Sequence, residues 1–277
     1  MTAAAVLMQG NIKFDGALVM QIFGDGPVKV AVAEVHNDLR LRATATVVGA
    51  VSPSMQLPEM VNAHGKGRCA ITLDPRNRQE GQQPYQGVVP LVGEGGAPLM
   101  DLAAVVEHYM RQSEQLDTTL VLAADEQVAA GLLIQRLPVQ GQDNLSQSSV
   151  AREDAGEAAE DDYQRIAILA KSLKREELLG LDADTILRRL FWEENLMRFE
   201  PLAGAQGPRF ACSCSRGRVA AMLKGLGQDE AEDILKEQGQ IEVGCDFCGQ
   251  QERFDAVDVG RLFTPAAQQS PEPGSVQ

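Results

Sequence analysis

The sequence predicts an α+β protein: an antiparallel-sheet core domain with helices, then a helical linker, then a small cysteine-bearing C-terminal domain. Three observations predict it. Apolar residues alternate at period two through residues 17–48, helical spacing takes over after residue 163, and four of the five cysteines fall between positions 212 and 248. A chain of 277 residues exceeds the size at which single cores tend to split, so two domains are expected.

Val28, Val30 and Val32 recur at every second position, and Leu39, Leu41, Ala43, Ala45 and Val47 then alternate with Arg40, Arg42, Thr44 and Thr46. This is the pattern of strands with one buried face. Gly24-Asp25-Gly26-Pro27 and His36-Asn37-Asp38 tolerate turn dihedrals, so a meander is the simplest topology. Further strands are expected at 69–73, 85–92, 118–124 and 130–137. Between them Leu102, Val105, Val106, Tyr109 and Met110 repeat at helical spacing.

The core domain is placed at 1–175, with a mobile acidic loop over about 139–162, where Glu153, Asp154, Glu157, Glu160, Asp161 and Asp162 face only Arg152. Helix resumes near Tyr163. An amphipathic linker follows over 176–207, with Ile186, Leu187, Leu190 and Phe191 on one stripe and Asp182 or Asp184 as its cap. The cysteine-bearing domain takes 208–265. Within it Val219, Ala220, Leu223 and Leu226, then Ile234 and Leu235, suggest two short helices, and 241–243 a small strand. The tail 266–277 has the composition of a disordered segment.

Charge narrows the function classes. Lys and Arg number 25 against 39 acidic residues, a formal charge of −14, which repels polyanions. The first residues lack a basic leader and their apolar run stops at Met8, too short for a membrane span, so a cytoplasmic location with no membrane partner is expected. Gly65-Lys-Gly and Gly93-Glu-Gly-Gly lack the spacing of a nucleotide-binding loop and read as turns. The histidines His36, His64 and His108 are scattered, and no Ser/His/Asp or Cys/His nucleophile arrangement emerges; the chain is not expected to be an enzyme. Cys69, inside Arg68-Cys-Ala-Ile-Thr-Leu, reads as a small core residue.

The remaining cysteines form Phe210-Ala-Cys-Ser-Cys-Ser215 and Gly244-Cys-Asp-Phe-Cys-Gly249, with thirty residues between Cys214 and Cys245: C-x-C followed by C-x-x-C. Cys212, Cys214, Cys245 and Cys248 offer four thiolates to one tetrahedral Zn²⁺ ion. The glycine after the second C-x-x-C cysteine lets backbone amides turn toward sulfur, as in a zinc knuckle. A segment of roughly 56 residues with few large apolar side chains cannot offset its chain entropy by burial alone, whereas structural zinc supplies about 10–16 kcal/mol. Arg209, Arg216, Arg218 and Lys224 are near enough in sequence to offset the charge of a tetrathiolate. Thiols this close can also form disulfides on oxidation, removing ligands pairwise; spacing alone leaves a purely structural site open.

FACSCSRGR and CDFCGQQERF, preceded by VEHYMRQSEQLDT, AAGLLIQRLP, GKGRCAITL and YQGVVPLVGEG, resemble the redox-regulated heat-shock protein 33 family over nearly the whole chain. That resemblance implies an ATP-independent holdase, inactive when reduced with zinc on the four cysteines. Oxidation would form Cys212–Cys214 and Cys245–Cys248 disulfides, release zinc and unfold the linker. Partners would be unfolded or oxidatively damaged client proteins, with a homodimer one state open to the oxidised form. Leu187, Leu190, Phe191 and Trp192 on the linker are the expected client-binding residues once it detaches.

Two other classes compete. A thiol-disulfide oxidoreductase would need a βαβ context that the surroundings of Cys245 do not supply. A structural zinc module binding nucleic acid would need basic residues where Asp229, Glu230, Glu232, Asp233 and Glu237 crowd the domain.

Overall fold

The computed structural model describes residues 1–79, 81–136, 149–200 and 202–264, with backbone alone over 149–159. Packing divides the chain into two compact units, Met1–Phe210 and Ala211–Gln277.

The first unit opens with helix α1 (Thr2–Asn11), whose Ala4, Ala5 and Met8 are buried. It then enters strands β1 (Gly16–Phe23), β2 (Val28–His36) and β3 (Arg40–Val47). These three form the expected antiparallel meander, with Met20 opposite Ala33 and Ala33 opposite Ala43. Leu18, Met20 and Ile22 point to the buried face, as period-two patterning requires. The β1–β2 turn needs glycine at 24, where a Cβ would lie 2.1 Å from the Val28 carbonyl oxygen. After the short helix α2 (Leu57–Val61) the meander ends. Strand β4 (Arg68–Pro75) returns to pair with β1, and β5 (Tyr85–Pro90) pairs with β4.

Helix α3 (Leu102–Tyr109) begins at Asp101, whose carboxylate accepts from the Ala104 amide at 2.8 Å, and buries Val105, Val106 and Tyr109. A separate hairpin, β6 (Thr118–Ala124) with β7 (Ala129–Gln135), has both faces covered. Leu120, Leu122 and Leu133 join the main core around α1 and β1, while Val121, Ala123, Ala130 and Leu132 face a second apolar cluster. The helical segment forms that second cluster through Leu173, just past the end of α4 (Ser149–Lys171), Leu178 on α5 (Arg175–Gly180) and Ile186 on α6 (Ala183–Leu190).

One expectation is corrected here. Residues 149–162, expected within a mobile acidic loop, are the first turns of α4. Alanine and glutamate are strong helix formers, so charge in this segment accompanies a helix rather than a loop. The rest of that loop, residues 139–148, and the tail 266–277 lie outside the described residues. The helical linker expected over 176–207 is broken: α5 ends at Gly180, α6 at Leu190, and residues 191–200 are irregular.

The main sheet finishes with the short strand β8 (Arg209–Phe210), parallel to β3, giving the order β5-β4-β1-β2-β3-β8. The second unit holds α7 (Arg216–Leu226), α8 (Gln228–Gln238), the antiparallel pair β9 (Ile241–Gly244) and β10 (Gln251–Phe254), and α9 (Ala256–Phe263). Its core is small: Leu223, Ala231, Ile241, Phe254 and Val259 are buried, ringed by half-buried residues such as Val219 and Leu235. Among the described residues, no helix is long and apolar enough to cross a membrane.

Candidate metal centre

Two chain segments build the site. Cys212 and Cys214 lie on the extended stretch that leads into α7, whose first turn is capped by Ser215 accepting from the Arg218 amide at 3.3 Å. The Arg218 guanidinium donates back to Ser213 Oγ at 2.6 Å, fixing the residue between the two cysteines. Cys245 and Cys248 occupy the tip of the β9–β10 hairpin. There the Cys245 amide donates to the Gln250 carbonyl, and the Gly249 amide to the Cys245 carbonyl, both at 2.8 Å. Gly249 takes φ = 72°, a left-handed conformation that the knuckle turn requires and that favours glycine.

The two segments meet sulfur to sulfur. Cys212 Sγ lies 3.5 Å from Cys245 Sγ, and Cys214 Sγ lies 3.3 Å from Cys248 Sγ. All four sulfurs lie within 4.8 Å of one another. Tetrahedral Zn–S bonds of about 2.3 Å ask for sulfur separations of roughly 3.8 Å. The cluster brackets that spacing, so a zinc-sized ion fits this donor set. Cys248 is exposed and the other three are half-buried, so reagents in solution can reach the site. Among the described residues, no other group of His, Cys, Asp or Glu is arranged to hold an ion.

The thiols are electrostatically unequal. The Cys214 backbone amide, followed by hydrogen bonds from the other thiols, pulls the Cys212 thiol down to about 6. Hydrogen bonding to Cys248 and Cys212 pushes Cys214 up to about 12. Cys212 is thus more easily ionised than Cys214, and a bound cation would favour the thiolate form of both. Cys69, in contrast, is fully buried in β4, and desolvation raises it to about 12.

Arg216 ties the site together, and the sequence did not single it out for this. Its guanidinium donates to the Arg253 carbonyl at 2.6 Å and to Asp258 at 2.7 Å, lies 3.5 Å from Glu252, and stacks 4.1 Å over the Phe254 ring. It thereby joins the C-x-C arm to β10 and α9. A signal existed in retrospect: a basic residue two places after Cys214, and acids flanking Phe254. Arg209, expected to offset thiolate charge, instead donates to the Asp38 carbonyl at 2.9 Å beside the first unit's sheet.

The proposed linker residues divide. Phe191 is buried, Leu187 and Leu190 are half-buried, and Trp192 is 73% exposed. Leu196, Met197, Phe199 and Leu202, which the periodicity did not select, are all exposed as well.

Comparison with known proteins agrees with this architecture. The model of the Hsp33 protein family matches residues 1–255. A 33 kDa chaperonin of Chromobacterium violaceum is 43% identical over 263 residues, covering 95% of this chain and 79% of that protein. The 33 kDa chaperonin of Methylobacillus flagellatus is 41% identical over 264 residues, with the same coverage of 95% and 79%. Among solved structures, the 33 kDa chaperonin of Thermotoga maritima superposes with a TM-score of 0.67 at 20% identity, covering 94% of this chain and 82% of that one. With a sheet core, a helical segment and a four-cysteine cluster able to hold a metal ion all in place, the chain belongs to the Hsp33 family of chaperones.

Proposed function

We propose that this protein is a cytoplasmic, ATP-independent holding chaperone, switched off by zinc on Cys212, Cys214, Cys245 and Cys248 and switched on by oxidation of those thiolates. The observation that carries the reading is the convergence of four sulfurs from two distant segments within 4.8 Å in a unit whose apolar core is small. When bound, zinc cross-links the two arms and supplies much of the free energy that folds them, about 10–16 kcal/mol in small zinc domains.

The chain's own residues do the rest. Cys212 and Cys214 share one arm, and Cys245 and Cys248 the other. Disulfides formed within each arm leave no bond between the arms. Two equivalents of peroxide take four electrons from the four thiolates, forming two S–S bonds and four hydroxide ions. The arms then depend on the small core and on Arg216 alone, and the second unit unfolds. Helices α5 and α6, each too short to persist without packing, release from the β6–β7 hairpin. Leu187, Leu190, Phe191 and Trp192, with Val121 and Leu132 beneath, become an apolar surface for unfolded clients.

Replacing one ligand tests the switch. Cys245→Ser should lower bound zinc from about one ion per chain to a trace, and the reduced variant should suppress client aggregation without any oxidant. A variant that keeps stoichiometric zinc, or loses it and stays inactive, contradicts the reading.

A further inference from the structure

The main sheet has two edges, and they are treated differently. β5 ends at Pro90 and is preceded by Pro84, residues that cannot donate to an incoming strand. The other edge, β3, carries no such protection from residue 43 onward: Ala43-Thr-Ala-Thr-Val-Val has no charge and no proline, and Ala43, Ala45, Thr46, Val47 and Val48 are exposed. Among the described residues, only β8 pairs with this edge, at Arg40 and Leu41, and no strand pairs with β3 from 43 to 47 on that side.

The register says which groups point outward. The Arg209 amide donates to the Leu39 carbonyl at 3.1 Å, so the odd-numbered residues of β3 direct their amides and carbonyls away from β2. Ala43, Ala45 and Val47 therefore present a ladder of open main-chain groups. β8 shows what the edge accepts: a short extended segment laid parallel to it, pinned by Arg209 to the Asp38 carbonyl and 3.5 Å from its carboxylate. β8 also ends two residues before Cys212.

We propose that the outer edge of β3 is a docking edge for extended segments of client chains, and that β8 is the chain's own short occupant of it. The inference rests on the holding function proposed above. Main-chain pairing is indifferent to side-chain sequence, which suits clients that share only an unfolded state. When the second unit unfolds, β8 loses its anchor on the cysteine side, and the open edge lengthens from residues 43–47 to the whole of β3.

The test uses full-length protein, oxidised with peroxide, and reduced, carboxymethylated lactalbumin as a permanently unfolded client. Ala45→Pro removes one outward amide and no β2–β3 bond, so zinc binding, zinc release and the melting of the reduced protein should match wild type. Client affinity should fall about tenfold. As a measurement independent of any variant, client binding to the wild type should slow hydrogen exchange at the amides of Ala43, Ala45 and Val47. If the wild type holds the client while these amides stay unprotected, or Ala45→Pro binds as tightly, the docking edge is overturned and the holding function survives. Protection that appears without client and rises with protein concentration would give the edge to a second copy and overturn the client assignment. If the oxidised wild type does not bind the client at all, the holding function itself falls, and this inference with it.

Discussion

Cysteine identity alone does not mark a thiol of the proposed switch; its surroundings do. Cys69 sits fully buried between Ile22 and Val89, and burial lifts its thiol to about 12. Native protein treated with chelator should therefore show four of its five cysteines reacting with a disulfide reagent, the fifth only in denaturant. Five fast thiols would contradict the burial argument. Arg216 makes the opposite case, a half-exposed side chain with consequences for a whole unit. Its stack on Phe254 and its charged hydrogen bonds are together worth about 1–3 kcal/mol. Arg216→Ala should let peroxide release zinc faster, leave the melting of the first unit unchanged, and be only partly rescued by lysine, which lacks the planar fork. Unchanged release kinetics would remove Arg216 from the account.

At the scale of elements, α5 and α6 depend on what lies beneath them. α6 is eight residues long, below the length at which an isolated helix persists. It is held by Ile186 against the β6–β7 hairpin and by Asp182, which accepts from the Thr185 amide at 2.9 Å and hydroxyl at 2.7 Å. Those two hydrogen bonds, the hydroxyl's foremost, keep the Asp182 carboxyl below its ordinary range. A depressed carboxyl stabilises the fold above its unfolded value, and the benefit is lost as pH falls through the folded one. Amide exchange at Thr185 should accelerate as pH drops below about 4, after correction for intrinsic rates. Asp182→Asn, which keeps an acceptor and loses the titration, should flatten that dependence.

These elements also mark what the sequence could convey. Alternation at Val28 to Val32 and Leu39 to Val47 gave β2 and β3 because one face of each is buried and the pattern is local. The return of β4 to β1 was not legible, since nothing local distinguishes one free edge from another. α1 was missed because Ala3-Ala-Ala5 carries helix propensity without periodicity. The first turns of α4 were missed because acids with alanine serve a helix as well as a solvated loop. The sulfur cluster was legible because C-x-C and C-x-x-C spacing reports ligand chemistry directly. The grip of Arg216 on Phe254, 38 positions away in the chain, was not.

Taken whole, the molecule joins a sheet-built unit with an ordinary apolar core to a smaller unit in which, among the described residues, five buried core residues are few for the length. That asymmetry is what would let metal and redox state govern one unit while the other stays folded. The most direct measurement follows zinc release and suppression of client aggregation on one sample, as peroxide is added at elevated temperature and reductant afterwards. The account predicts that zinc leaves and holding activity rises with the same time course, and that reductant with zinc reverses both. Zinc that stays bound while activity rises, or leaves while activity stays absent, would contradict it.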